Sequence, residues 1–412
     1  MNNNLIPKAF RRPFVLVTLL FLLWGLANNM TDTLLAAFKK IMSMSDTQTS
    51  LIQFAFYGAY FCLAFPAALF IRKHSYRSGV VLGLSLYAAG AILFMPAAKA
   101  ASYAFYLIAI YIMAGGCSVL ETTANPYILS MGPAETATRR LNIAQAFNPI
   151  GSILGILLSK VFILKDISLY SISGTYMTLG LVLLGVLVVM LLVKMPDGKD
   201  DEPVEGSVAE GSMKATLKRL WANKRYRRGV MAQFFYVGAQ IGVWSFTIRI
   251  VMQELGIVEA EAANVYLIAI VGFCVSRFVY TWLMKYVAPV RLLVFGSVMS
   301  LICAIVVVFA AGTGWLLVTF LILISVFMSL MFPTIYGLAL ERVEQPTYGG
   351  HPGDAKIGAS GLIMAILGGA LLTPLQGFVS DTFSVYTSFA VPAVCFAVVL
   401  LYSIYAIRSE RK

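Results

Sequence analysis

Apolar residues run through this chain in stretches far longer than a soluble helix needs. A helix crosses the hydrocarbon layer of a bilayer with about 20 apolar residues. Stretches of that order lie at 13–38, 51–71, 79–97, 102–131, 141–163 and 172–194. They resume at 228–253, 262–283, 288–311, 314–342, 357–380 and 384–407. The pattern predicts an all-α integral membrane protein of twelve transmembrane helices. Spans 1, 4, 7 and 10 are long, which suits helices that bend around a cavity.

The stretch 195–227 breaks the rhythm. Pro196 to Pro203 is acidic and flexible, and Lys214 to Arg228 is basic, predicting an amphipathic helix on the membrane surface. The chain is thereby divided into an N-terminal six-helix bundle (1–194), a cytoplasmic linker (195–227) and a C-terminal six-helix bundle (228–412).

Composition agrees: 59% of residues are hydrophobic and 12% charged, against about 25% charged in a soluble domain. A soluble enzyme is excluded. The net charge of +12 does not point to nucleic acid, because the positive residues sit in short loops. With the N-terminus in the cytoplasm, 24 of the 31 Lys and Arg residues fall on the cytoplasmic side. The positive-inside rule then places both termini inside, as in a multi-pass protein of a bacterial inner membrane. Residues 1–12 are short and basic, but the apolar run behind them is too long for a cleaved signal peptide. The five cysteines lie in apolar runs and form no disulfide framework; His74 and His351 sit in loops and make no metal-ligand pattern. No nucleophile–base pair is present. The expectation is a non-enzyme with no cofactor and no metal.

Two carboxylates interrupt the apolar runs: Asp32 in span 1 and Glu121 in span 4. A carboxylate at membrane depth costs roughly 2.5–3.5 kcal/mol on insertion scales, so it tends to face a cavity and serve an ion or substrate. Trp24, Asn28 and Asp32 are spaced i, i+4, i+8 and share one helix face. An aromatic ring, an amide and a carboxylate in a row suit a sugar; a polar seam between helices uses the same residues. Glu121 and Asn125 are i, i+4, with Pro126 expected to bend the helix. Span 5 adds Asn142, Gln145 and Asn148, followed by Pro149. Span 7 carries Gln233, Tyr236, Gln240 and Trp244 in helical register, and span 10 carries Phe332-Pro333-Thr334-Ile335-Tyr336. Amides both donate and accept, which suits hydroxyl ligands. Asp32 and Glu121 lie equally far along oppositely directed spans. They could therefore take up and release a proton on opposite sides. Arg277, near the end of span 8, is expected to snorkel or to pair with a loop acid such as Glu341. Gly115-Gly116 and Gly368-Gly369 predict close helix packing.

Twelve spans in two sixes around a long central loop match the major facilitator architecture, which places substrate near the midplane between halves. Four motifs carry a more specific resemblance. They are Asn28-Asn29-Met30-Thr31-Asp32, Leu120-Glu121-Thr122-Thr123-Ala124-Asn125-Pro126, Leu141-Asn142-Ile143-Ala144-Gln145-Ala146-Phe147-Asn148 and Phe332-Pro333-Thr334. Together they resemble the fucose:proton symporter family of the major facilitator superfamily, over nearly the whole chain. Tyr236 to Arg249 is similar to the L-fucose branch, whereas the glucose/galactose branch tends to carry an acid where Gln240 stands. The resemblance implies proton-coupled import of L-fucose or a similar monosaccharide by a single chain. Asp32 and Glu121 would handle the proton. Trp24, Asn28, Asn125, Gln145, Asn148, Gln240, Trp244 and Tyr336 would meet the sugar. Phe332 replaces the Tyr of the L-fucose pattern, and the loop Pro346–Lys356 is longer, so the sugar stays open. Some relatives couple to sodium, and a sodium-coupled hexose symporter is the alternative; a drug exporter fits the amide-rich spans 4 and 5 poorly.

Overall fold

Each apolar stretch forms a helical span because no water is available at that depth to satisfy free backbone groups. The computed structural model describes residues 5–43, 46–163, 168–193, 195–196 and 213–410. Side chains of Ala27, Asn28 and residues 31–37 lie outside the described residues, although their backbone is helical. Asn28 and Asp32 are therefore placed only as positions along the first helix.

The first half holds α1 (Arg11–Ile41), α2 (Asp46–Lys73), α3 (Tyr76–Ile92) continued by α4 (Phe94–Lys99), and α5 (Tyr103–Ser130). It is completed by α6 (Ala137–Gln145) with α7 (Asn148–Leu158), and α8 (Leu169–Leu192). A short surface helix, α9 (Met213–Ala222), precedes the second half. That half holds α10 (Lys224–Leu255), α11 (Glu259–Leu283), α12 (Pro289–Phe309) and α13 (Trp315–Met328) with α14 (Met331–Leu340). It ends with α15 (Asp354–Met364), α16 (Leu367–Thr382) and α17 (Ala390–Glu410). Twelve candidate spans result among the described residues, with no strand. The end of the bundle that carries α9 is called here the linker end, and the opposite one the far end.

The basic stretch 214–228 is not one surface helix. Asn223 interrupts it, its side chain accepting from the N–H groups of Arg225 and Tyr226 at 3.1 Å each. An N-cap of this kind starts a new helix, so Lys224 to Arg228 open span 7. Of the long spans expected to bend, only span 10 is interrupted, and two others break as well. Helices α1, α5 and α10 are continuous, whereas spans 5, 10 and 11 are each broken near mid-length. Pro149 and Pro333 follow the first two breaks, and Gly368-Gly369 the third, as missing donors and conformational freedom dictate.

Glycine sets the tightest helix contacts. A Cβ built on Gly151 would lie 1.8 Å from the Leu22 carbonyl oxygen, and one on Gly25 would lie 2.0 Å from that of Asn148, so α1 and α7 meet backbone to backbone. The Cβ of Gly116 would reach 2.3 Å from Tyr87 N, and that of Gly368 2.0 Å from Phe234 O. Association inside a bilayer depends on such close approach, because lipid tails supply no hydrophobic drive.

At the linker end the two halves touch. Helix α15 packs on α2 and α5, α14 on α6, and α11 on α6 and α7. Lys356 Nζ lies 4.8 Å over the Tyr76 ring, whose stacking partner is Tyr127. Arg219 of α9 grips both oxygens of Asp354 at 2.7 and 2.8 Å, and Arg72 of α2 donates to Thr216 of α9 at 3.3 Å. The far end carries an open cavity of about 630 Å³ bordered by Ser245, Ile248, Arg249 and Met252 of α10.

These contacts predict a sharp contrast between two like substitutions. Gly151→Ala should destabilise the detergent-solubilised protein by about 1–3 kcal/mol, the usual cost of overpacking. Gly185→Ala, whose Cβ meets nothing within 4 Å, should leave stability unchanged or raise it slightly. Thermal unfolding of both variants checks the contrast.

Candidate functional site

Glu121 sits near the middle of the interface between halves. It lies on α5 and is 1% exposed, and neither carboxylate oxygen has a hydrogen-bond partner among the described residues. One turn on, the Asn125 side chain donates to the Glu121 backbone carbonyl at 3.0 Å. The i, i+4 spacing thus makes a bond to backbone, which fixes the Asn125 rotamer and leaves the carboxyl untouched. The Asn125 Oδ1 accepts from Gln145 Nε2 at 2.7 Å, joining α5 to the end of α6. Gln145 offers its own backbone carbonyl to Arg277 Nη1 at 2.9 Å. Arg277 Nε donates to the Ser329 carbonyl at 2.7 Å. A chain of polar groups therefore runs from Glu121 across to the second half.

Arg277 overturns its sequence expectation. It neither snorkels nor meets Glu341; it is 3% exposed, lies 4.7 Å over the Phe273 ring, and binds only carbonyl oxygens among the contacts described. Glu341 pairs with Arg225 instead, at 2.5 Å. The signal available in the sequence was a charged residue six positions inside an apolar span, close enough to the end to imitate a snorkelling one.

The other predicted residues divide into two groups. Tyr336 is fully buried, and its hydroxyl has no partner among the described residues. It lies within electrostatic range of Glu121, as does Tyr60 of α2. Phe332 stands between Tyr236 and Tyr336, each ring centre 6.4 Å away, and the Tyr236 hydroxyl is likewise unpartnered. Gln240 is half-buried on α10. Asn125, Gln145, Tyr336 and Glu121 are thus brought together.

Four residues point elsewhere. The break after Gln145 turns Asn148 to α1, where its side chain donates to the Phe21 carbonyl at 3.2 Å. Asn142 faces the other way and donates to Thr334 Oγ1 at 3.2 Å, across the seam to α14. Trp24 is 8% exposed and stacks on Tyr60, ring centres 6.4 Å apart and planes 17° off parallel. Trp244 is half-buried, donates to Ser325 Oγ at 3.2 Å and meets Phe273 edge-on. Both tryptophans already have a protein ring against them. Tyr60 escaped the sequence reading; a tyrosine hydroxyl at mid-span was its only mark. Asn28 and Asp32 fall on the α1 segment whose side chains are outside the described residues.

The arrangement offers an acid whose two oxygens have no partner among the described residues, a fixed pair of amides and three aromatic hydroxyl-bearing rings. Such a set can take up a proton and hydrogen-bond a neutral polyhydroxy ligand. Residues 11–351 match the family model described as Major Facilitator Superfamily. The chain belongs to the Major Facilitator Superfamily. It is 40% identical to an L-fucose-proton symporter of Haemophilus influenzae, over 98% of both chains. It is 36% identical to the L-fucose-proton symporter of Escherichia coli, covering 96% of this chain and 93% of that one. Among solved structures, the Major Facilitator Superfamily transporter FucP, crystallised in the outward conformation, superposes with a TM-score of 0.87. The two share 34% identity and cover 97% and 99% of one another. The facilitator fold thus accounts for the two packed halves and the site between them.

Two substitutions separate ligand-facing from structural polar atoms. Tyr336→Phe removes a hydroxyl without a partner among the described residues and should change stability by less than about 1 kcal/mol. Gln145→Leu strands Asn125 Oδ1 and should cost about 1–3 kcal/mol. Chemical or thermal unfolding in one detergent compares them.

Proposed function

We propose that this protein is a secondary active symporter that imports a monosaccharide, L-fucose or a close relative, with protons. It works by alternating access of one central site. The observation that carries this reading is the Glu121 carboxyl, buried at the interface with both oxygens open and an ordered amide pair beside it. An ionised carboxylate without donors is costly in a low-dielectric interior. Its proton occupancy is therefore tied to whether the cavity is open and wet. Full-length similarity to L-fucose-proton symporters supports both the sugar and the ion.

Asn125, Gln145, Gln240 and Tyr336 are the sugar contacts this reading favours, with Phe332 and Tyr236 as ring surfaces. Trp24, Asn148 and Trp244, which stack on or bond to protein groups in this conformation, and Asn28 of α1 are the further sugar contacts of this reading. Asp32, on span 1, which runs opposite to span 4, is the second proton-handling acid of this reading. The linker end is cytoplasmic, with both termini on that side, by the charge bias of the loops. The protein resides in a bacterial inner membrane and works as one chain, with no cofactor. The conformation described, with the halves packed together at the linker end, is then closed to the cytoplasm.

Reconstitution tests the proposal. Labelled L-fucose should accumulate in proteoliposomes under an inward proton gradient without sodium; accumulation under an inward sodium gradient alone would overturn proton coupling. Glu121→Gln should abolish uphill accumulation while sugar counterflow persists. Tyr336→Phe should raise KM about tenfold, the loss expected when a buried polar contact to a sugar hydroxyl is removed.

A further inference from the structure

Two of the broken spans share a chemical defect. In an α-helix the carbonyl of residue i accepts from the N–H of residue i+4. The partner of the Gln145 carbonyl would be residue 149, and that of the Ser329 carbonyl residue 333; both are proline, which has no N–H. These carbonyls lie in different halves of the protein, at the breaks of spans 5 and 10. Arg277 donates to both, Nη1 to Gln145 at 2.9 Å and Nε to Ser329 at 2.7 Å. The neighbouring Ser276 hydroxyl meets the Ser329 hydroxyl at 2.8 Å, anchoring the same break. Beside it Phe278 contacts Phe147 across the seam, ring centres 6.0 Å apart.

We propose that Arg277 is a positioning residue of the transport cycle, a latch that closes the linker-end floor of the site by bonding two proline-orphaned carbonyls, one from each half. Its bond to Ser329 lies within the second half and travels with it. Its bond to Gln145 crosses the seam and breaks when the halves part at the linker end. In the closed state the site is dry, so the Gln145 carbonyl depends on the guanidinium. In the open state water enters and satisfies the carbonyl. Proline thus makes one carbonyl's satisfaction depend on which side is open. The planar fork matters, since an ammonium is a single point that cannot span both oxygens in the same geometry. This inference rests on the alternating-access reading above but not on the identity of the sugar or the ion.

The experiment measures the floor directly. Spin labels at His74→Cys and Thr347→Cys, both exposed at the linker end of opposite halves, report its opening in the full chain in nanodiscs. Cys62, an exposed thiol, is replaced by Ser. Arg277→Lys should shift the distance distribution towards long separations by roughly tenfold in population, the scale of one charged hydrogen bond. Turnover should fall with KM for external sugar little changed. Pro149→Ala, which keeps Arg277 and returns an N–H to the Gln145 carbonyl, should produce a shift of the same sign. In that background Arg277→Lys should have much less further effect. Unchanged distributions in both single variants, or fully additive shifts in the double variant, would overturn the latch. The distances need no sugar and no gradient. A shift without L-fucose uptake would thus uphold the latch and dismiss the substrate, whereas uptake without a shift would do the reverse.

Discussion

Inside a bilayer every backbone carbonyl and N–H needs a protein partner, and this structure is organised around the places where a helix cannot provide one. Straight helices meet the demand internally. Broken spans do not, and the freed groups are met by side chains from other helices. Buried arginines supply several of these donors. Arg140 donates to the carbonyls of Ile128, Leu129 and Pro133 where α5 ends. Arg225 donates to Leu338 where α14 ends. Arg277 serves the two mid-span breaks. The helix macrodipole places partial negative charge at each of these carbonyl ends, which favours a cation there.

The same constraint shapes the central site. Because Asn125 is held by the Glu121 carbonyl and Gln145 by Asn125, the amides are pre-set and lose little freedom when a ligand arrives. The carboxyl and the Tyr336 hydroxyl are left out of this web. Rigid and open polar groups thus stand side by side: the first give shape, the second give exchangeable bonds. Backbone contact at Gly25 and Gly151 couples span 1, which carries Asp32, to span 5, which carries Gln145.

Much of this was legible from the chain. Apolar runs of membrane length located the twelve spans, and the lone acid in span 4 marked the candidate site, because burying a carboxylate is costly enough to demand a reason. Helical spacing correctly put Glu121 beside Asn125 but could not tell that the amide would seek backbone. It failed for span 5, where the break after Gln145 changes the register and sends Asn148 to α1 and Asn142 to α14. It failed for Arg277 because that residue's partners lie 52 and 132 positions away in sequence. It also joined α9 to α10 across Asn223, since charge pattern alone carries no capping signal. Contacts between halves are tertiary facts, and a single sequence writes them only faintly.

The guanidinium of Arg277 faces no carboxylate among the described residues and binds only neutral carbonyls in the contacts described. A formal positive charge therefore stands at the floor of the chamber, where the dielectric is low and fields reach far. A sugar carries no charge and crosses that field freely. Held by two carbonyls for reasons of backbone geometry, one arginine side chain also sets the sign of the field at that floor.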